Sequence, residues 1–279
     1  MRRHRISHWS VGMALVIGLA CAPLPANAQA WTKSGLWYEA GGRGPAVLLL
    51  HGSNLDHASM APLARALARD HLVITTDLRF HGASRDGGGP VSFTDDVGEV
   101  LDAARARHAI VIGHSMGAQI AVDFALAHPE RINSLVLIGP TVSGYAPKTP
   151  PPGLEDFIAA LRKGDIDAAG RALAASPVTH LLRSRDRQDE VTAMIMRNLG
   201  LFRADRTRFA APPAASGKLD ALAMPVLVIV GEEDPTGALD VADFISSKLA
   251  TARVVRLPDC GHLVPLDCPA DAMKAIEGR

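Results

Sequence analysis

The sequence predicts an α/β protein with a mostly parallel sheet, helices on both faces and one helical insertion. Three observations carry that expectation. Short apolar runs alternate with stretches of helical spacing along most of the chain. The runs are continuous, as expected of strands buried on both faces, and do not alternate apolar with polar. The rhythm breaks after Gly139-Pro140 and resumes only at Val226, with no apolar strand-like run between.

Taken in order, Pro45 to Leu50 is the first run and ends at His51-Gly52. Ala58 to Arg69 has helical spacing, and Leu72 to Thr76 reads as a strand closed by Asp77. Phe93 to Arg107 is helical, with acids early and arginines late as the helix dipole favours. Ile110 to Gly113 reads as a strand, Met116 to His128 as its helix, and Ser134 to Ile138 as the next strand. Thr141 to Pro152 is rich in proline and small residues, Leu154 to Leu201 reads as helices alone, and Phe202 to Lys218 is irregular. Val226 to Val230, a helix over Ala238 to Leu249, and Arg253 to Leu257 restore the rhythm. Both flanks continue one sheet, so the interruption is expected to be a helical cap at 141–218. The core is then 29–140 and 219–279; about seventy residues is small for an independent domain.

The first residues stand apart. Arg2, Arg3 and Arg5 precede an apolar segment, Val11 to Ala20, too short to span a bilayer, and Ala26-Asn27-Ala28 supplies a small-x-small cleavage site. Residues 1–28 are therefore expected to be a signal peptide, with export to the periplasm or the exterior and no stable membrane anchoring. An uncleaved anchor is the competing reading, and Arg2-Arg3 leaves Sec and twin-arginine export both open. The 279 residues carry no net formal charge, with 48% hydrophobic and 21% charged residues. That balance speaks against nucleic acid as a partner. Cys260 and Cys268 bracket His262 and are expected either to pair, given export, or to stay buried thiols.

The most informative stretch is Gly113-His114-Ser115-Met116-Gly117. A G-x-S-x-G between a buried strand and a helix is a nucleophile elbow, a turn tight enough to need glycine on both sides. A serine hydroxyl needs a base beside it, and the base an orienting carboxylate. After Ser115, one strand ends in Gly231-Glu232-Glu233-Asp234 and the next leads to Asp259-Cys260-Gly261-His262. Both groups thus follow strand C-termini, the edge where open α/β sheets place their sites.

With His51-Gly52-Ser53, the segment Asp77-Leu78-Arg79-Phe80-His81-Gly82-Ala83-Ser84, and Gly261-His262, these motifs resemble the lid-bearing α/β-hydrolases that include esterases, lactonases and perhydrolases. The resemblance covers the chain from about Gly35 onward. It implies Ser115 as nucleophile, His262 as general base and acid, and Asp234 as the orienting carboxylate, with Glu232 and Glu233 as rivals. It implies the backbone N–H groups of Ser53 and Met116 as the oxyanion hole. His51, Asp77, Arg79 and His81 are expected to brace the site. Phe80 stands where the family commonly has glycine, which puts the backbone shape of that turn in question.

His114 is expected either to touch substrate or to face the helix. Phe157, Met194 and Phe202 are candidate substrate contacts from the cap, although the cap's larger apolar residues are expected mostly to pack it onto the sheet. The arginines at 183, 185, 187, 203, 206 and 208 could recognise an acidic substrate or form a solvated face. No spacing suggests a metal site or a phosphate loop, so no metal and no cofactor is expected. The expected activity is that of an exported serine hydrolase on a small-molecule ester or lactone. Acyl transfer, carbon–carbon bond hydrolysis and perhydrolysis are the alternatives on the same triad, and a low-turnover ligand receptor is a further one.

Overall fold

A computed structural model describes residues 28–148, 151–211 and 214–278. The expected signal segment, apart from Ala28, lies outside the described residues. Eight strands are present: β1 (Ala28–Trp31), β2 (Trp37–Gly42), β3 (Ala46–Leu50), β4 (Leu72–Thr76), β5 (Ala109–His114), β6 (Ile132–Ile138), β7 (Val226–Gly231) and β8 (Arg253–Leu257). They form one sheet in the order β1-β2-β4-β3-β5-β6-β7-β8. From β4 to β8 every neighbouring pair is parallel, while β2 runs antiparallel to both β1 and β4.

The strand order reverses at β3. The next strand in the chain, β4, lies on one side of it and β5 on the other, with Leu50 opposite Gly113. Crevices at such switch points are where open α/β sheets bind ligands. Here the reversal sets the His51-Gly52-Ser53 turn beside the Ser115 elbow.

Among the described residues ten α-helices accompany the sheet: α1 (Ala61–Leu67), α2 (Phe93–Ala103), α3 (Met116–Ala127), α4 (Glu155–Arg162), α5 (Ile166–Ala174), α6 (Gln188–Arg197), α7 (Gly200–Arg203), α8 (Ala238–Lys248), α9 (Val264–Asp267) and α10 (Pro269–Glu277). The side-chain alternation of the strands feeds two cores. Leu48, Leu50, Val111, Leu135, Leu137 and Val228 face α2, α3 and α8. Val47, Leu49, Ile112, Val136 and Ile229 face α1, α9 and α10. Fully burying a leucine such as Leu48 or Leu50 contributes about 2–3 kcal/mol. With both faces covered, the central strands β3, β5 and β7 have no polar side, which is why they read as continuous apolar runs.

The helices α4 to α7 lie between β6 and β7, and no strand falls among them. A third apolar cluster joins Leu181, Val191, Met194, Ile195 and Leu199 of this segment to Leu55, Leu263 and Leu266. It therefore packs on the loops that follow β3 and β8.

Some boundaries differ from the sequence expectation. The helix expected to reach Arg107 ends at Ala103, because Arg105 takes a left-handed backbone (φ 57°). The helix expected from Ala58 begins as a 3-10 turn at His57, capped by Asp56, and becomes α-helical only at Ala61. Sequence reading assigned neither β1 nor β2. Glu39, Gly41 and Gly42 break the apolar run there, as an edge pair tolerates. Among the described residues no helix is long and apolar enough to cross a membrane.

Candidate active site

Strand β5 delivers Ser115 into a backbone conformation (φ 53°, ψ −117°) that a non-glycine residue rarely adopts and that costs about 1–3 kcal/mol. The Ser115 N–H donates to the Ile138 carbonyl at 2.9 Å, and the Ser115 carbonyl accepts from Ala118 and Gln119. Close approach explains the flanking glycines. A Cβ on Gly113 would lie 2.3 Å from the Gly117 carbonyl oxygen, and one on Gly117 2.3 Å from that of Leu50. Met116 opens α3, so its N–H is among the first-turn amides that have no partner within a helix.

Loops after β7 and β8 bring Asp234 and His262 together. His262 Nδ1 donates to Asp234 Oδ2 at 2.8 Å, and both side chains are buried. That bond leaves Nε2 as the basic nitrogen. The other carboxylate oxygen, Oδ1, accepts from the Thr236 amide (2.8 Å) and hydroxyl (2.6 Å). Burial pushes the Asp234 carboxyl up, but the His262 charge and these hydrogen bonds outweigh it and hold the group below its ordinary range. Glu232 and Glu233, the rival acids, point to solvent. Gly139, after β6, lies against the pair: a Cβ there would stand 3.0 Å from His262 Nδ1. Cys260 and Cys268 form a disulfide around this histidine.

The turn after β3 is braced as the motifs led us to expect. His51 Nδ1 donates to the Gly52 carbonyl (2.7 Å) while its Nε2 accepts from the Leu78 amide (2.9 Å). His81 Nδ1 donates to the Arg79 carbonyl and its Nε2 accepts from the Asn54 amide. Burial, with His51 nearby, pushes His81 down to about 3, so both rings stay neutral at ordinary pH. Asp77 Oδ1 accepts from the His57 amide and ring, and its Oδ2 from the Ala83 amide. Arg79 makes a two-pronged pair with Asp96. Phe80 keeps the left-handed backbone (φ 70°) that a glycine would take without strain, and its ring stacks on Phe209 at 5.6 Å.

A cavity of about 290 Å³ opens over Ser115. Ser53, His114 and His262 line it on the sheet side, and Phe157, Leu173, Val178, Ile195 and Phe202 form its apolar roof and walls. Phe157 and Phe202 meet edge to face at 5.4 Å. Met194 does not line it; that side chain packs in the cluster with Leu55 and Leu263, and the next residue, Ile195, about 100° further round the helix, takes the wall position. His114 is buried and points to the base, donating from Nε2 to the His262 carbonyl at 3.0 Å. Its sequence position in the elbow could not reveal that contact, which spans 148 residues.

Among the described residues no arginine, lysine, aspartate or glutamate lines the cavity. Arg183 pairs with Asp271, Arg187 with Glu190, Arg203 with Asp167 and Arg208 with Asp86. A groove of about 330 Å³ beside Glu39, His57 and Arg65 lies away from the elbow. Among the described residues no three or more histidine, cysteine or acidic side chains are grouped to hold a metal ion. Sequence reading passed over Thr236, Gly139, Asn198 and Asp267. Only Gly139-Pro140, closing a strand, left any trace of its role.

A family model described as alpha/beta hydrolase fold matches residues 45–269. The pimeloyl-[acyl-carrier protein] methyl ester esterase of Nitrosomonas europaea is 28% identical over 255 residues, covering 86% of this chain and 97% of that one. Among solved structures, the esterase RhEst1 from Rhodococcus sp. ECU1013 superposes with a TM-score of 0.75 at 22% identity, covering 91% and 98% of the two chains. The enol-lactonase from Burkholderia xenovorans LB400 gives 0.72 at 22% identity, covering 90% and 98%.

Proposed function

The chain belongs to the alpha/beta hydrolase family, and from that premise we propose that it is an exported serine hydrolase working through an acyl-enzyme on Ser115. It is a hydrolase acting on carboxylic esters, the activity that names the relative from Nitrosomonas europaea. The observation that carries the serine mechanism is the strained Ser115 facing one cavity with His262, whose Nδ1 is held by Asp234.

His262 Nε2 takes the Ser115 proton as Oγ attacks the acyl carbon, and the Asp234 carboxylate steadies the imidazolium that forms. The tetrahedral oxyanion is received by the Ser53 and Met116 N–H groups. The imidazolium then protonates the leaving alcohol, and water, activated by the same nitrogen, releases the acid and restores Ser115. A lactone undergoes the same steps with the leaving alcohol still tethered.

The basic n-region and the Ala26-Asn27-Ala28 site support export. Ser115→Ala, purified and folded, is expected to lose turnover of a short p-nitrophenyl ester by about 10⁴-fold or more. Turnover within tenfold of wild type in that variant would overturn the acyl-enzyme.

A further inference from the structure

Asn198 ends α6, a helix of the segment between β6 and β7, yet it is 1% exposed and its bonds reach the catalytic loops. Its Nδ2 donates to Asp56 Oδ2 (2.9 Å) and to the Met194 carbonyl (2.8 Å), and its Oδ1 accepts from the Gly82 amide (2.7 Å). Its carbonyl accepts from Asn54 Nδ2 at 2.9 Å. Asn54 follows Ser53, stands in the left-handed region (φ 57°), and accepts the Ser53 hydroxyl at Oδ1. Two residues on, the cap chain is pressed against the bracing turn: a Cβ on Gly200 would lie 2.4 Å from the Phe80 carbonyl oxygen.

We infer that Asn198 is a positioning residue through which the cap fixes the Ser53 N–H of the oxyanion hole. The inference rests on the serine-hydrolase reading above. The physical argument is one of constraint. Among the described residues, the backbone of the Gly52–Leu55 turn is closed on itself by one long bond, Leu55 N–H to the Gly52 carbonyl at 3.3 Å. What else fixes Asn54 is the His81 ring, which accepts its backbone N–H from the sheet side, and the Asn198 carbonyl, which accepts its side-chain amide from the cap side; the Asn198 side chain in turn ties that carbonyl to Asp56 and Gly82. An oxyanion donor must sit within a few tenths of an ångström of its productive place. Truncating the Asn198 side chain removes its bonds to Asp56, Met194 and Gly82, so the carbonyl that anchors Asn54 is no longer held and the turn loosens, while Ser115, His262 and Asp234 keep all the contacts described above. The hole is thus complete only when α6 is seated, and the cap contributes to the transition state as well as to the pocket.

The test is Asn198→Ala on the full-length processed enzyme, with short p-nitrophenyl esters and two inhibitors of equal size. One inhibitor is a trifluoromethyl ketone, which forms an oxyanion adduct with serine; the other is the matching secondary alcohol, which does not. The expected result is a kcat lowered roughly tenfold or more, a smaller loss than the 10²–10³ of deleting a donor outright, with KM within about twofold. Ketone affinity falls by the same factor as kcat/KM, alcohol affinity stays put, and the pH midpoint of kcat/KM does not move. Unchanged kcat, or equal weakening of ketone and alcohol, would overturn the inference. Should the alanine variant fail to fold, Asn198→Asp and Asn198→Asp with Asp56→Asn replace it. The single change sets two carboxylates face to face, and the pair restores a donor, so kcat should recover in part. No recovery overturns the inference. The underlying hydrolase reading fails separately, through an active Ser115→Ala enzyme.

Discussion

Cys260 and Cys268 are joined by a disulfide, Cα to Cα 6.3 Å, and the loop it closes carries His262. Both cysteines are buried, and the Cys260 carbonyl accepts the Glu233 amide, so the crosslink braces the acid-bearing loop after β7 as well as the base-bearing loop after β8. Sequence spacing left pairing and free thiols equally open.

Closing so short a loop removes about 2.5 kcal/mol worth of chain entropy from the unfolded state. The double variant Cys260→Ala/Cys268→Ala is expected to unfold several degrees lower and to lose kcat, because His262 is then held only by noncovalent contacts. Thermal melts and esterase rates measured on the two proteins in parallel check this. Melting temperatures and rates that match would remove the crosslink from any role in holding the base.

Within the same loop, Asp267 is buried and accepts the backbone amides of Leu182, Arg183 and Ser184 at 2.8–2.9 Å. These amides belong to the segment whose neighbours Val178 and Thr179 wall the cavity. Asp267→Ala removes the charged acceptor of three part-buried N–H donors, a cost of about 1–3 kcal/mol. The expected outcome is a lower unfolding midpoint in urea and a raised KM with a smaller change in kcat. A wild-type midpoint would show that the clasp carries no stability.

Legibility in the sequence followed the range of the interaction. Ser115, its flanking glycines and the strand–helix context are local, and so are the apolar runs of β3 to β8; all were readable. The resemblance, through the family's spacing after the strand, favours Asp234 over Glu232 and Glu233, but its bond to His262 and the two contacts from Thr236 appear only in three dimensions. Asn198 and Asp267 were invisible because an asparagine at a helix end and an aspartate before a cysteine are ordinary surface residues in any one-dimensional reading. Their partners in the catalytic loops and across the cap lie 83 to 144 residues away in the chain. Phe80 is legible as a departure; that it keeps the glycine-like backbone, with Phe209 stacked on its ring, appears only in three dimensions.

Asp123, on α3 behind the elbow, is buried with one oxygen on the Ser143 hydroxyl at 2.6 Å and the other without a partner among the described residues. Burial pushes its carboxyl up to about 6, only partly offset by that hydrogen bond. An unfolded aspartate titrates near ~3.9. Between these two values the folded protein binds more protons than the unfolded one, so stability falls as pH rises through that window and stays lower above it. Asp123→Asn removes the buried charge and is expected to stabilise the protein at pH 7 by roughly 1–3 kcal/mol, a few degrees in Tm for a chain of this size. At pH 4 the two proteins should melt together. A gain of the same size at both pH values would refute the linkage.

The cavity over Ser115 sets the last expectation, the kind of acyl group accepted. Its volume of about 290 Å³ holds roughly ten non-hydrogen atoms at ~30 Å³ each, and among the described residues no arginine, lysine, aspartate or glutamate lines it. Neutral acyl chains of up to about eight carbons should therefore be hydrolysed best. A carboxylate on the distal end would have to shed its water without a partner, at a cost of several kcal/mol, so a half-ester of a dicarboxylic acid should be at least ~100-fold poorer than the neutral ester of equal length. Phe157 closes the roof from α4, a helix with no fully buried side chain, and leans on Phe202. Phe157→Ala extends the space without touching the core, so the preferred chain should lengthen by two or more carbons while short esters lose affinity. A panel of p-nitrophenyl esters from acetate to laurate, run on both proteins, reads this directly. An unchanged length profile would mean that the acyl chain lies elsewhere than beneath Phe157.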